Sequence, residues 1–133
     1  MKIRLATEKD YSKIYHALNR KGIDYISARH ARDDIEKQQL FVIEENGELL
    51  GQCALVVEND FGYIAIKRLV VYNKKNSGKH IAQQFIDYFK SLNIENLGCT
   101  PWTENAKMRA ILERNGFVHQ YTFMTCYEFY LLS

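Results

Sequence analysis

Proline is nearly absent from this sequence, one residue in 133, and glycine numbers only seven. No Pro/Gly-rich, repetitive or low-complexity tract divides the chain, which excludes a flexible tail or linker and leaves one domain over residues 1–133. Cysteine is scarce too. Cys53, Cys99 and Cys126 sit in separate apolar stretches without C-x-x-C spacing, which excludes a disulfide framework and reads as three buried thiols packing like small hydrophobes. The four histidines, His16, His30, His80 and His119, form no i,i+4 pair and no cluster with cysteine, so the zinc patterns are missing. No run approaches the roughly 18 apolar residues that cross a bilayer. The start, Met1-Lys2-Ile3-Arg4-Leu5, lacks the apolar core of a secretory leader. The expectation is a soluble, cytoplasmic protein with no membrane partner. Charge of one sign is also lacking: 18 basic and 16 acidic residues leave a net +2. A nucleic-acid binder needs a larger basic excess, so any anion site has to be local.

Against these absences stand 47% hydrophobic and 26% charged residues, enough to fold one small core. A strand over residues 2–6 precedes Thr7, whose hydroxyl is set to cap a helix with Asp10 three positions on. Tyr11, Ile14, Tyr15 and Leu18 mark one face of that helix to about residue 20, where Lys21-Gly22 breaks it. A second, mostly polar helix follows over residues 28–38. Residues 40–44 and 49–57 are β-rich runs joined by Glu45-Asn46-Gly47-Glu48, and Asn-Gly is the strongest short signal for a type I′ hairpin. After the turn Asn59-Asp60-Phe61-Gly62, residues 63–72 read as a long strand interrupted only by Lys67-Arg68. Ile81, Ala82, Phe85, Ile86, Phe89 and Leu92 mark an amphipathic helix from about Lys79. Residues 95–100 give a short strand ended by Pro101, which cannot donate to a ladder. Thr103 is expected to cap the next helix, with Met108, Ile111 and Leu112 inward and Asn115-Gly116 closing it. Residues 121–132 are apolar on both faces and read as one long buried strand. The order is β-α-α-β-β-β-α-β-α-β, an α/β (α+β) fold.

Chemistry concentrates where the long strand meets the helix near Lys79. A helix start exposes unpaired amides and the positive end of its dipole. Gly78 lets the backbone approach a ligand, and Lys74, Lys75 and Lys79 surround the same point, so phosphate is the natural guest. The alternative is a loop that carries Gly and Lys for conformation and solubility. A Walker A loop is excluded, because Asn73 and His80 stand where it needs Gly and Ser or Thr. No G-x-G-x-x-G follows a strand, which removes the dinucleotide fold as well.

Ser77-Gly78-Lys79-His80-Ile81-Ala82 resembles the acyl-coenzyme A loop of the GNAT-type N-acetyltransferases, [RQ]-x-x-G-x-[GA], often worded R-G-K-G-I-G. Gly78, Lys79, Ile81 and Ala82 match; Ser77 replaces the Arg or Gln, His80 replaces the central Gly, and the loop before it is one residue longer. Residues 105–117 are similar to the family's N-x-x-A-x-x-x-Y-x-x-x-G-F signature. Asn105, Gly116 and Phe117 fit there, while Met108 and Leu112 stand for Ala and Tyr. The likeness covers nearly the whole chain. It implies a mixed, mostly antiparallel central sheet of about six to seven strands flanked by about four helices.

The same resemblance implies acetyl-coenzyme A as acyl donor and a small amine or peptide as acceptor, joined by direct attack in a ternary complex. The pyrophosphate is expected on the amides of residues 78–82, and the pantetheine arm along Leu69, Val70 and Val71. The Val71 amide is the candidate oxyanion donor, and Asn105 the residue that touches the coenzyme arm. Leu112 stands at the position of the family's proton-donating tyrosine and has no proton to give. Tyr72, Tyr121 and Tyr127 are the neighbouring phenols. A base is needed because an alkyl ammonium near pKa 10 is mostly protonated at neutral pH; Glu58, Asp60, Glu104 and His119 are open alternatives, with His80 placed on the cofactor side. A non-catalytic acyl-coenzyme A binding or regulatory module is the rival reading. A homodimer, in which a partner chain completes the acceptor half of the site, is compatible with so short a chain.

Overall fold

Alternating and periodic apolar residues build one mixed sheet between two pairs of helices. The computed structural model describes residues 1–21, 28–60 and 62–132. Its strands are β1 (Lys2–Leu5), β2 (Leu40–Glu45), β3 (Glu48–Glu58), β4 (Tyr63–Val71), β5 (Leu97–Cys99), β6 (Phe117–Phe123) and β7 (Tyr127–Leu132). Its helices are α1 (Tyr11–Lys21), α2 (Ala28–Glu36), α3 (Ile81–Ser91) and α4 (Ala106–Arg114). The sheet order is β1-β2-β3-β4-β5-β7-β6. Every neighbouring pair is antiparallel except β4 with β5.

The helical stripes decide which face of the sheet each helix covers. Ile14, Ala17 and Leu18 of α1 and Ala31 and Ile35 of α2 pack on Leu40, Val42, Ala54 and Val70 on one face. Phe85, Ile86 and Phe89 of α3 and Leu112 of α4 pack on Ile43, Cys53, Ile66 and Leu97 on the other. The hairpin between β2 and β3 turns at Asn46 (φ 53°) and Gly47 (φ 79°), the two left-handed residues of a type I′ turn. Thr7 and Asp10 meet as expected, the Asp10 carboxylate accepting the Thr7 amide at 2.8 Å. One 3₁₀ turn, Glu8–Asp10, intervenes before α1. The Gly22 break and Phe61 of the expected turn lie outside the described residues.

The structure corrects three local expectations. Residues 117–132 form a hairpin, β6 and β7, where one long strand over residues 121–132 was expected. The chain reverses at Met124 (φ 53°) and Thr125 (φ 59°), left-handed residues without a glycine or asparagine to announce them. The cap of α4 is Asn105, whose side chain accepts the Met108 amide at 3.1 Å. Thr103 instead gives its hydroxyl to the Glu128 carboxylate. Finally, α3 begins at Ile81; the stretch Lys74–Lys79 is a 3₁₀ segment, and His80 links the two in a left-handed conformation (φ 54°).

Candidate functional site

Strand pairing makes the cleft. β4 and β5 run parallel over only three pairs, Ile64↔Leu97, Ala65↔Gly98 and Ile66↔Cys99. Beyond Ile66, β4 continues to Val71 beside β3, while the chain after β5 turns away through Pro101 toward β7, where Trp102 and Tyr127 form a bridge. The register between β3 and β4 also slips beside Arg68, which has φ 52°, so β4 carries a bulge as the strands part. Arg68 is fixed by a bidentate pair with Asp34 of α2, both contacts at 2.7 Å, and Asp34 also accepts from Gln39 at 2.7 Å. A buried carboxylate on α2 thus holds the bend in β4.

The resulting cleft measures about 720 Å³. Leu69, Val71, Ala82, Asn105, Met108 and Ile111 line it together with Glu58, Tyr63, Trp102, Phe123 and Tyr127. Tyr72 donates its amide to Leu50 of β3 at 3.0 Å. Strand alternation therefore turns the preceding amide, that of Val71, toward the cleft side. The sequence-predicted residues Leu69, Val71, Ala82 and Asn105 are thereby brought to one cavity; Val70 is buried toward the α1/α2 face instead.

The loop leading to α3 is wound as a turn. Asn73 accepts the Lys75 amide at 3.0 Å to start it, and Ser77, Gly78 and Lys79 complete it. Gly78 is exposed, and a Cβ built there meets nothing within 4 Å. Of the three lysines read as an anion cradle, Lys79 contacts Glu45 at 2.6 Å and Lys75 contacts Glu48 at 3.7 Å. Both are thus partly neutralised by the β2–β3 hairpin. His80 is exposed at the head of α3.

Among the four acids and bases open from sequence, Glu58 lines the cleft and Asp60, Glu104 and His119 do not. Glu58 is ion-paired with Lys67. Tyr72 is buried with its hydroxyl on Gln52 at 2.7 Å, and burial raises its pKa, so it holds its proton. Tyr121 stands half-exposed on β6, whereas Tyr127 reaches the cleft wall. Leu112 is fully buried between α4 and the sheet. Cys99 lines the cleft, but burial pushes its thiol up to about 12, and it remains neutral near pH 7. No group of three metal-ligating side chains occurs among the described residues, and no described helix is long and apolar enough to cross a membrane.

Sequence reasoning missed Tyr63, Trp102 and Phe123 on the wall, and it missed Glu128. That buried carboxylate accepts from the Thr103 and Thr122 hydroxyls and lies 2.6 Å from His119 Nε2. The hydroxyl bonds of Thr103 and Thr122, with His119 beside them, hold its pKa down to about 2. A folded value below the ordinary carboxylate value means that its stabilisation is complete above about pH 4.5 and is lost as pH falls toward 2. Glu128→Gln is therefore expected to lower the melting temperature at pH 7 and to lessen its decline between pH 4.5 and 2, as read by thermal denaturation across that range.

Comparison with known proteins adds to this geometry. Residues 6–117 match the profile described as the acetyltransferase (GNAT) family. No curated protein sequence matches significantly. A GNAT-family acetyltransferase from Bacillus cereus ATCC 10987 superposes with a TM-score of 0.80 at 14% identity, covering 99% of this chain and 95% of the other. Spermidine N-acetyltransferase from Vibrio cholerae gives 0.71 at 18%, covering 99% and 94%. The ribosomal-protein-S18-alanine N-acetyltransferase from Escherichia coli gives 0.67 at 18%, covering 98% and 89%.

Proposed function

The chain belongs to the acetyltransferase (GNAT) family, and from that premise we propose that it moves an acetyl group from acetyl-coenzyme A to a primary amine by direct attack in a ternary complex. The observation that carries the reading is the parting of β4 from β5 after Ile66, beside the start of α3. The two named neighbours act, by their names, on spermidine and on an alanine of a ribosomal protein, both amines.

In this reading the backbone of residues 78–82 receives the pyrophosphate, with Lys79 and His80 beside it and the exposed Gly78 leaving room for close approach. The cleft side of β4 at Leu69 and Val71 receives the pantetheine arm as an added strand. Asn105 flanks the arm from the head of α4. Val71 donates its amide to the oxyanion that forms when the amine nitrogen attacks the thioester carbon. Glu58, the one carboxylate among the described residues of the cleft wall, stands opposite Tyr63, eight residues along β4 from Val71, and so takes the proton from the ammonium through a chain of waters. The new C–N bond then replaces the C–S bond as the thiolate departs, and the second proton of the attacking nitrogen passes to that thiolate or to water. A thiolate is a tolerable leaving group, so the reading does not require a proton donor at the position of Leu112.

Release of free thiol from acetyl-coenzyme A with a panel of primary amines tests the reading. Glu58→Gln is expected to cut kcat roughly 100-fold, the usual range for a lost general base, while leaving acetyl-coenzyme A affinity within about twofold. An unchanged kcat removes Glu58 from the mechanism. Leu112 supports one rival, a non-catalytic acyl-coenzyme A binding module. That rival predicts thermal protection by coenzyme A with no thiol release for any amine.

A further inference from the structure

We propose that the acceptor is an amine carried on a flat apolar group that seats against an aromatic wall formed by Trp102, Tyr127 and Phe123, an inference that rests on the acetyl-transfer reading above. The three rings line the same cleft as Val71 and Glu58. Trp102 and Tyr127 lie 4.5 Å apart between centroids at 33°, and Tyr127 stacks on Phe123 at 5.3 Å and 21°. Trp102 is 53% exposed, so the core does not account for it.

The wall is also held in place. Glu128 donates its amide to Pro101 at 3.0 Å, Thr103 donates its amide to Cys126 at 2.8 Å, and the Thr103 hydroxyl bonds the Glu128 carboxylate. Hydrogen bonds to β7 and the turn before it therefore pin the backbone on both sides of Trp102. An exposed indole on a fixed backbone is a preorganised apolar platform, which loses little entropy when a ring stacks on it.

Charge argues against a second ammonium on the acceptor. Among the described residues of the cleft, the cations are Lys67, Arg68 and Lys107 and the only carboxylate is Glu58, which Lys67 already pairs. Beyond Glu58 the described residues of the cleft offer a second ammonium no carboxylate, whereas an apolar body finds the three rings.

The test compares 2-phenylethylamine, ethylamine and spermidine by acetyl-coenzyme A-dependent thiol release. The kcat/KM for 2-phenylethylamine is expected to exceed that for spermidine by about tenfold or more, mainly through KM. Trp102→Ala is expected to reduce the ratio of kcat/KM for 2-phenylethylamine over ethylamine about tenfold, and Trp102→Phe to retain most of it. Trp102 is the only tryptophan in the chain, so 2-phenylethylamine added to coenzyme A-saturated protein is expected to change its fluorescence saturably. Preference for spermidine, or an unchanged ratio in folded Trp102→Ala, overturns this inference while acetyl transfer stands. No thiol release with any of the three amines removes the acetyl-transfer reading and this inference with it.

Discussion

Gly98→Val is expected to lower the melting temperature by about 10 °C, corresponding to roughly 3 kcal/mol for a domain of this size. A Cβ at Gly98 would lie 2.7 Å from the Tyr130 carbonyl oxygen, 2.8 Å from Tyr63 Cδ2 and 3.0 Å from Leu131 Cδ2. The first of these is backbone. It cannot retreat without disturbing the pairing of Gly98 with Leu131 and Cys99 with Tyr130 that holds β5 to β7. With only three residues, β5 has no spare length to absorb the shift. Valine adds two methyls to a contact that alanine already violates. Because β5 also sets where β4 loses its partner, the displaced strand is expected to impair acetyl transfer at temperatures where the variant is still folded. Thermal unfolding by circular dichroism checks the first effect, and a melting temperature unchanged by the substitution contradicts the packing described for β5.

Gly78→Asp is expected to do the reverse, leaving stability nearly intact and weakening acetyl-coenzyme A binding about 30-fold. The space around Gly78 is open and its φ is not positive, so the new side chain meets no clash and no backbone strain. What changes is charge. A carboxylate about 4 Å from a phosphate costs between about 1 and 4 kcal/mol, depending on how far water screens the pair, and about 2 kcal/mol corresponds to 30-fold. Gly78→Ala separates the effects, since it adds the carbon without the charge and is expected to bind within about threefold of the parent protein. Equal affinity of folded Gly78→Asp and the parent would move the anion away from this turn.

Much of the fold was legible because apolar spacing and turn chemistry agreed. The Asn46-Gly47 hairpin and the stripe of Phe85, Ile86 and Phe89 needed no tertiary information. The β6–β7 hairpin was not legible, because Met124 and Thr125 adopt a left-handed turn that their side chains do not advertise. An apolar run hides such a turn whenever both strands carry large apolar residues. The Lys67-Arg68 interruption in β4 was visible, but its meaning was not. Arg68 bends the strand onto Asp34 and Lys67 pairs with Glu58, contacts across 34 and nine positions that no local pattern carries.

The candidate cleft was legible in part: Leu69, Val71, Ala82 and Asn105 line it, whereas residues 78–81 are not among its lining and Val70 faces α1 and α2. The loop proposed to hold the coenzyme was singled out from Gly78 and the following helix, although His80 stands where the resembled loop carries glycine. In this chain that position has a left-handed φ of 54°, which glycine adopts freely and histidine at some strain. Of the aromatic wall only Tyr127 was among the residues singled out, because Trp102 and Phe123 join it only through the turn at Pro101 and the last hairpin. Glu128 was hidden for a similar reason: a carboxylate within an apolar strand acquires its role from Thr103, Thr122 and His119 around it.

Calorimetric titration of acetyl-coenzyme A into the unaltered protein addresses the central claim, that the cleft between β4 and β5 is an acyl-coenzyme A site. The expected result is one saturable site per chain whose affinity falls about 30-fold in Gly78→Asp. Absence of saturable binding up to about 1 mM, a limit equivalent to roughly 4 kcal/mol of binding free energy, would contradict it.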